Sequence, residues 1–162
     1  MTESARITLE GSDRERIIRF RDGDQSVPML LRGAPFAAGM APTLHRIDRA
    51  AAEIEMRFQP GADYVAARDT LQGGAIAAML DFTMVFLVLA LIPDHKLTAT
   101  ANMTISYLRP ALAGSYVGKG MIERAGSSMI FARAELVGPS GSAVATANGL
   151  FPLFEPRSNG DA

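Results

Sequence analysis

Residues 70–92 read Thr-Leu-Gln-Gly-Gly-Ala-Ile-Ala-Ala-Met-Leu-Asp-Phe-Thr-Met-Val-Phe-Leu-Val-Leu-Ala-Leu-Ile and hold a single charged side chain, Asp81. The run is apolar on every side of a helical wheel, as a helix wrapped by other structure would be. Gly73 and Gly74 at its start admit a close approach of backbone or ligand, and Thr70 is placed to cap the first turn. The length also suits a membrane span. Against that, a carboxylate at mid-span costs about 2.5 to 3.5 kcal/mol on insertion scales, and the flanking segments alternate like the strands of a soluble domain. A buried central helix is expected, carrying an acid that must be paired or used.

Downstream, Pro93-Asp94-His95-Lys96 breaks the run. Residues 97–108 then alternate, with Leu97, Ala99, Ala101, Met103, Ile105 and Tyr107 on one face and Thr98, Thr100, Asn102, Thr104 and Ser106 on the other. The hydroxyl-rich face suits solvent, a pocket wall or a second subunit. Three further strands are expected at 116–124, 129–137 and 143–151, separated by turns at Ala125-Gly126-Ser127 and Gly138-Pro139-Ser140-Gly141. Upstream, residues 52–59 alternate strictly, with Ile54, Met56 and Phe58 facing inward and Glu53, Glu55 and Arg57 outward; Leu44 to Asp48 is a candidate partner strand. Residues 13–21 suggest a peripheral helix capped by Ser12, and 29–40 a short helix interrupted near Gly33 and Pro35.

One long apolar helix, with one or two strands before it and four after it, describes an α+β hotdog: a curved antiparallel sheet wrapped around one central helix. The expected organisation is an N-terminal helical extension over 1–40, a hotdog domain over 41–153 and a disordered tail over 154–162.

Bulk composition narrows the functions. With 162 residues, 48% of them hydrophobic, the chain can bury a core without staples. Cysteine is absent, which excludes thiolate catalysis, and the two histidines, His45 and His95, lie too far apart in sequence to suggest a multi-histidine metal site. No metal or cofactor is expected. A formal net charge of -1 offers no general attraction to nucleic acid or an anionic membrane. The first residues lack the apolar centre of a secretory signal, so a cytoplasmic protein is expected.

The segment Leu71-Gln72-Gly73-Gly74-Ala75-Ile76-Ala77-Ala78-Met79-Leu80-Asp81 resembles the His-Gly-Gly helix start and helical acid of PaaI-like hotdog thioesterases. Residues 100–110 and 142–151 resemble that family's strand after the helix and its last strand. The resemblance implies a dimer of hotdogs, or a tetramer of two dimers, with acyl-CoA sites between subunits. It implies Asp81 as general base or nucleophile, the Gly74 N–H as donor to the thioester oxygen, and Thr100 as the facing-strand hydroxyl. Gln72 stands where the family usually has His, and Ala66 where many members place Asn or Gln. Gly73, Asn102, Arg109, Lys119 and Arg124 are candidates for holding the acyl-CoA. The expected activity is hydrolysis of an aryl- or short- to medium-chain acyl-CoA. Gln72 and Ala66 leave open a hotdog that binds such a ligand without hydrolysing it, and a hotdog dehydratase or hydratase would want a His beside its acid. Phe82, Phe86, Met79 and Met84 suit an apolar pocket wall or the core equally.

Overall fold

In the computed structural model, which describes residues 12–33 and 35–155, the alternation at Glu53–Phe58 becomes a strand, β3, with Ile54, Met56 and Phe58 all buried. Before it lie helix α1 (Asp13–Asp22), a two-residue strand β1 (Met29–Leu30), a short helix α2 (Pro35–Ala38) and β2 (Thr43–Asp48). After it come two single-turn helices, then α3 (Gly73–Leu91), β4 (Leu97–Thr98), β5 (Asn102–Tyr107), β6 (Tyr116–Ala125), β7 (Met129–Val137) and β8 (Ala143–Phe154). The sheet runs β1-β2-β3-β6-β7-β8, with β4 and β5 both along the far edge of β8, and each pairing is antiparallel. It curls around α3, the expected hotdog arrangement.

Helix α3 lies against β3, β6, β7 and β8, and Met79, Leu80, Met84, Leu87 and Val88 are completely buried. A helix this apolar has the length of a membrane span, but here most of it, one half-buried stripe aside, is packed inside the fold. The contact is close because β6 presents glycine. A Cβ on Gly118 would come within 2.2 Å of the Thr83 hydroxyl, and one on Gly120 within 2.9 Å of Ile54 and 3.1 Å of Thr83. Thr83, buried at this crossing, donates its hydroxyl to the Met79 carbonyl at 2.7 Å, so the polar atom is satisfied inside its own helix.

Helix α1 begins as expected, with the Ser12 hydroxyl accepting from the Glu15 N–H. Ile17 and Phe20 enter the same core as α3, as do Leu31 and Met40. From the same helix, Arg21 donates to the Ala90 carbonyl at 3.1 Å and Arg14 to the Pro93 carbonyl at 3.0 Å. Two cations thus sit at the negative end of α3.

Three local expectations are corrected. Within 29–40 the helix is confined to Pro35–Ala38, and Met29–Leu30 instead pairs with Thr43 and Leu44 at the sheet edge. Thr70 does not cap α3: its hydroxyl donates to the Ala67 carbonyl, and the N-cap position belongs to Gln72. Residues 97–108 do not form one strand. Thr98 pairs with Leu153 but Asn102 with Leu150, four steps against three, so the segment between them carries an extra residue. Such a bulge reverses the alternation of faces across it. Of the expected tail, Phe154 ends β8, and residues 156–162 lie outside the described residues.

Gly118→Ala should destabilise the fold by about 1 to 3 kcal/mol, the usual penalty for overpacking. Adding Thr83→Ala should recover part of that loss, read from thermal denaturation of the four members of the cycle at one protein concentration. Strictly additive effects would show that Gly118 is not there to admit Thr83.

Candidate active site

The backbone leading into α3 is held from two sides. The Leu71 N–H donates to the Ala111 carbonyl at 2.7 Å and the Gln72 N–H to the Tyr64 carbonyl at 2.9 Å, while Arg68 and Asp69 turn the chain through left-handed conformations, φ 63° and 56°. The Gln72 carbonyl accepts from Ala75 and Ile76 at 3.0 and 3.3 Å. The N–H groups of Gly73 and Gly74, ahead of those donors, have no acceptor within the helix. They point out of its positive end, and the position of a Gly74 Cβ faces open space. The exposed Gln72 side chain makes no capping bond to the helix.

Asp81 lies seven residues beyond Gly74, two turns along almost the same line of the helix, about 10.5 Å by the helical rise. It belongs to a half-buried stripe, Ala78, Asp81, Phe82, Val85 and Leu89, that the sheet of this chain does not cover. Phe82 stacks on Phe86 along it, ring centroids 5.6 Å apart and planes 11° from parallel. The Thr100 hydroxyl donates to Asp81 Oδ1 at 2.6 Å. Thr100 sits within the bulged segment between β4 and β5, where the chain leaves the ladder and reaches the helix. Burial pushes the Asp81 carboxyl above its ordinary value and the Thr100 bond opposes that; the net direction is upward.

The other candidates are dispersed. Asn102 is exposed on β5. The Arg109 guanidinium donates to the Ala143 carbonyl. Lys119 stands between Glu55 and Glu135 in the ladder, on the face of β6 opposite to Gly118 and Gly120, so the sheet separates it from α3. There it lines a trough of about 770 Å³ with Arg46, Glu53 and Arg133. Arg124 is exposed near the end of β6. Met79 and Met84 are core, whereas Phe82 is half-buried on the open stripe. Neither His approaches Asp81: His45 is on β2, and His95 lies 3.7 Å from Glu155. Ala66 offers its N–H to the Thr70 carbonyl at 2.6 Å and has no polar side-chain atom. One contact at the helix start was not anticipated: the Tyr107 hydroxyl donates to the Gly73 carbonyl at 3.0 Å. Its sequence signal, an aromatic closing an alternating strand, is equally that of a packing residue.

A sequence profile described as the thioesterase superfamily matches residues 69–145, which span α3, the bulge, β5, β6, β7 and the start of β8. The chain resembles the thioesterase superfamily over that stretch, and its fold is that of PaaI-like hotdogs. A phenylacetic acid degradation-related protein from Ralstonia eutropha JMP134 is 28% identical, with a TM-score of 0.73 over 84% of this chain and 98% of that one. The E. coli PaaI protein, from the phenylacetic acid degradation operon, is 15% identical, with a TM-score of 0.66 over 75% of this chain and 85% of its own. The BH2602 protein of Bacillus halodurans, solved with CoA, is 24% identical, with a TM-score of 0.59 over 62% and 66% of the two chains. Among curated proteins none matches significantly.

The Asp81 environment sets a pH dependence of stability. Because its pKa is raised on folding, the folded chain holds the proton more tightly than the unfolded chain does. The stability this lends is complete below about 3.8, the unfolded value, and is lost as pH rises through the folded value. Asp81→Asn should therefore melt above the parent at pH 7, with the gap closing as pH falls towards 3.8. Melting curves of the two proteins across that range check it, and a gap that widens on acidification would contradict the assignment.

Proposed function

We propose that this thioester hydrolase acts on acyl-CoA, with Asp81 as its general base or nucleophile. The observation that carries the reading is the half-buried carboxylate held by Thr100, on the same line of α3 as an outward-pointing Gly74 N–H. As general base, Asp81 takes a proton from water while the water oxygen attacks the thioester carbonyl carbon. Negative charge gathers on the carbonyl oxygen, where the Gly74 N–H and the helix dipole stabilise it. Collapse expels the CoA sulfur, which recovers the proton from Asp81. As nucleophile, the carboxylate attacks the thioester carbon directly and the C–S bond breaks, releasing CoA thiolate to take a proton from solvent; water then cleaves the resulting anhydride, freeing the acid and the Asp81 carboxylate. Partial desolvation strengthens the base in either case, and the Thr100 bond aims it.

The site we infer is shared between two chains. About 10.5 Å separates Gly74 from Asp81 along one helix, more than a single carbonyl spans between a hydrogen-bond donor and an attacking carboxylate oxygen. Two α3 helices lying antiparallel would set Gly74 of one beside Asp81 of the other. They would also cover the half-buried Ala78, Phe82, Val85 and Leu89. Strand β5 pairs with β8 on one side only, so two such edges can join and continue the sheet. Phe82 and Phe86 then line the acyl end, which suits an aryl or short- to medium-chain acyl group. A tetramer of two such dimers and a cytoplasmic setting belong to the same reading. Gln72 and Ala66 favour one alternative, a hotdog that binds acyl-CoA without turnover: the first cannot ionise and the second cannot hydrogen-bond through its side chain.

A panel of aliphatic and aryl acyl-CoAs, followed by release of free thiol, should yield at least one substrate. On it, Asp81→Asn should lose about two orders of magnitude or more in rate, the scale of a positioned acid or base. Parent-like turnover in that variant would remove Asp81 from the mechanism; tight calorimetric binding with no turnover by the parent would favour the alternative. Light scattering of the active protein at micromolar concentration should give a dimer or a multiple of it. An active monomer would refute the shared site.

A further inference from the structure

The Gly73 carbonyl and the Gly74 N–H belong to one peptide group. Tyr107, at the end of β5, donates its hydroxyl to that carbonyl at 3.0 Å, and its ring passes close enough that a Cβ on Gly73 would lie 3.5 to 3.7 Å from it. We propose that Tyr107 is a positioning residue of the oxyanion site, fixing and polarising the peptide whose N–H receives the thioester oxygen. The inference rests on the function proposed above.

Two physical effects make the link. The plane of this peptide turns about ψ of Gly73 and φ of Gly74, two glycine torsions with the widest range available to any residue. It also lies in the first turn, where helices fray. Within α3 the carbonyl is held by the ordinary bond from the residue four positions on. Tyr107 adds a second anchor from outside the helix, on the strand edge that also leads to Thr100. Hydrogen bonds in series polarise one another, by about 10 to 30% per bond. Electron density drawn towards the Gly73 oxygen leaves the Gly74 N–H a stronger donor to a developing oxyanion. Tyr107 is 53% exposed within the single chain, and phenylalanine would fill the same space without the bond.

The test is Tyr107→Phe. On a substrate whose hydrolysis depends on Asp81, kcat should fall about three- to tenfold, the scale of one hydrogen bond acting on the transition state. KM and the melting temperature should stay at the parent values, which a general loosening of the fold would not allow. In ¹⁵N-labelled protein the Gly74 amide nitrogen should shift upfield, because the donor on its peptide carbonyl is gone. A variant with the parent kcat on such a substrate overturns the proposal. If the parent hydrolyses no acyl-CoA, the functional reading falls by that result. The nitrogen shift then judges the tether separately: a Gly74 signal unmoved in Tyr107→Phe overturns it, and a moved one supports it.

Discussion

A helix without a polar face has to be enclosed, and that requirement organises this chain. No side chain on α3 except Asp81 gains from water, so the sheet curls until β3, β6, β7 and β8 all touch it. Close enclosure needs backbone where side chains would stand apart, and Gly118 and Gly120 supply it opposite Thr83. Helix α1 then covers more of the core with Ile17 and Phe20, while Arg14 and Arg21 reach the carbonyls at the far end of α3. One chain does not finish the enclosure. The stripe through Ala78, Phe82, Val85 and Leu89 stays half-buried, and the one acid of the helix lies on it.

That placement gives Asp81 its chemistry. Deeper in the core the carboxylate would be held neutral, and on an open surface it would be an ordinary, weak base. Half-buried, it has a raised pKa that the Thr100 hydroxyl partly offsets. The opposing effects leave a carboxylate more basic than usual and fixed in direction. The start of the helix is arranged in the complementary sense. Gln72, Gly73 and Gly74 bring few side-chain atoms, their backbone is tied to Tyr64 and Ala111, and the first N–H groups are left facing outward.

Much of this was legible in the sequence because burial and periodicity leave strong marks. The uniform apolarity of 70–92 identified the core helix, alternation identified β3, and the spacing of turns marked out β6, β7 and β8. Asp81 and the glycine pair stood out because each is anomalous in such a run. What escaped was set by register and by backbone. Counting alternate faces through 97–108 assumes an unbroken ladder, and a single extra residue between Thr98 and Asn102 invalidates the count. That same bulge carries Thr100, whose place as the facing-strand hydroxyl came from family resemblance and not from the alternation, and whose bond to Asp81 only the structure shows. The cap was misplaced because Thr70 has the right side chain but is engaged by the preceding turn, whose left-handed residues Arg68 and Asp69 no composition rule announces. Tyr107 was invisible because its partner is a carbonyl, present at every residue.

Gln72 and Ala66 mark where this chain departs from the family pattern, and their chemistry says what the departure transfers. Neither titrates, and His45 on β2 and His95 beside Glu155 are both elsewhere, so the proposed mechanism leaves Asp81 as the proton-handling group among the residues gathered along this face of α3. In the proposed mechanism, orientation of the thioester then falls to neutral donors: the Gly74 N–H, the Gln72 amide and the helix dipole behind them. Neutral donors stabilise an oxyanion without competing for its proton, and they act best when they do not have to move at the moment of reaction. The bonds that fix this backbone, from Leu71 to Ala111, from Gln72 to Tyr64 and from Tyr107 to Gly73, therefore carry the burden that an ionisable side chain would otherwise share.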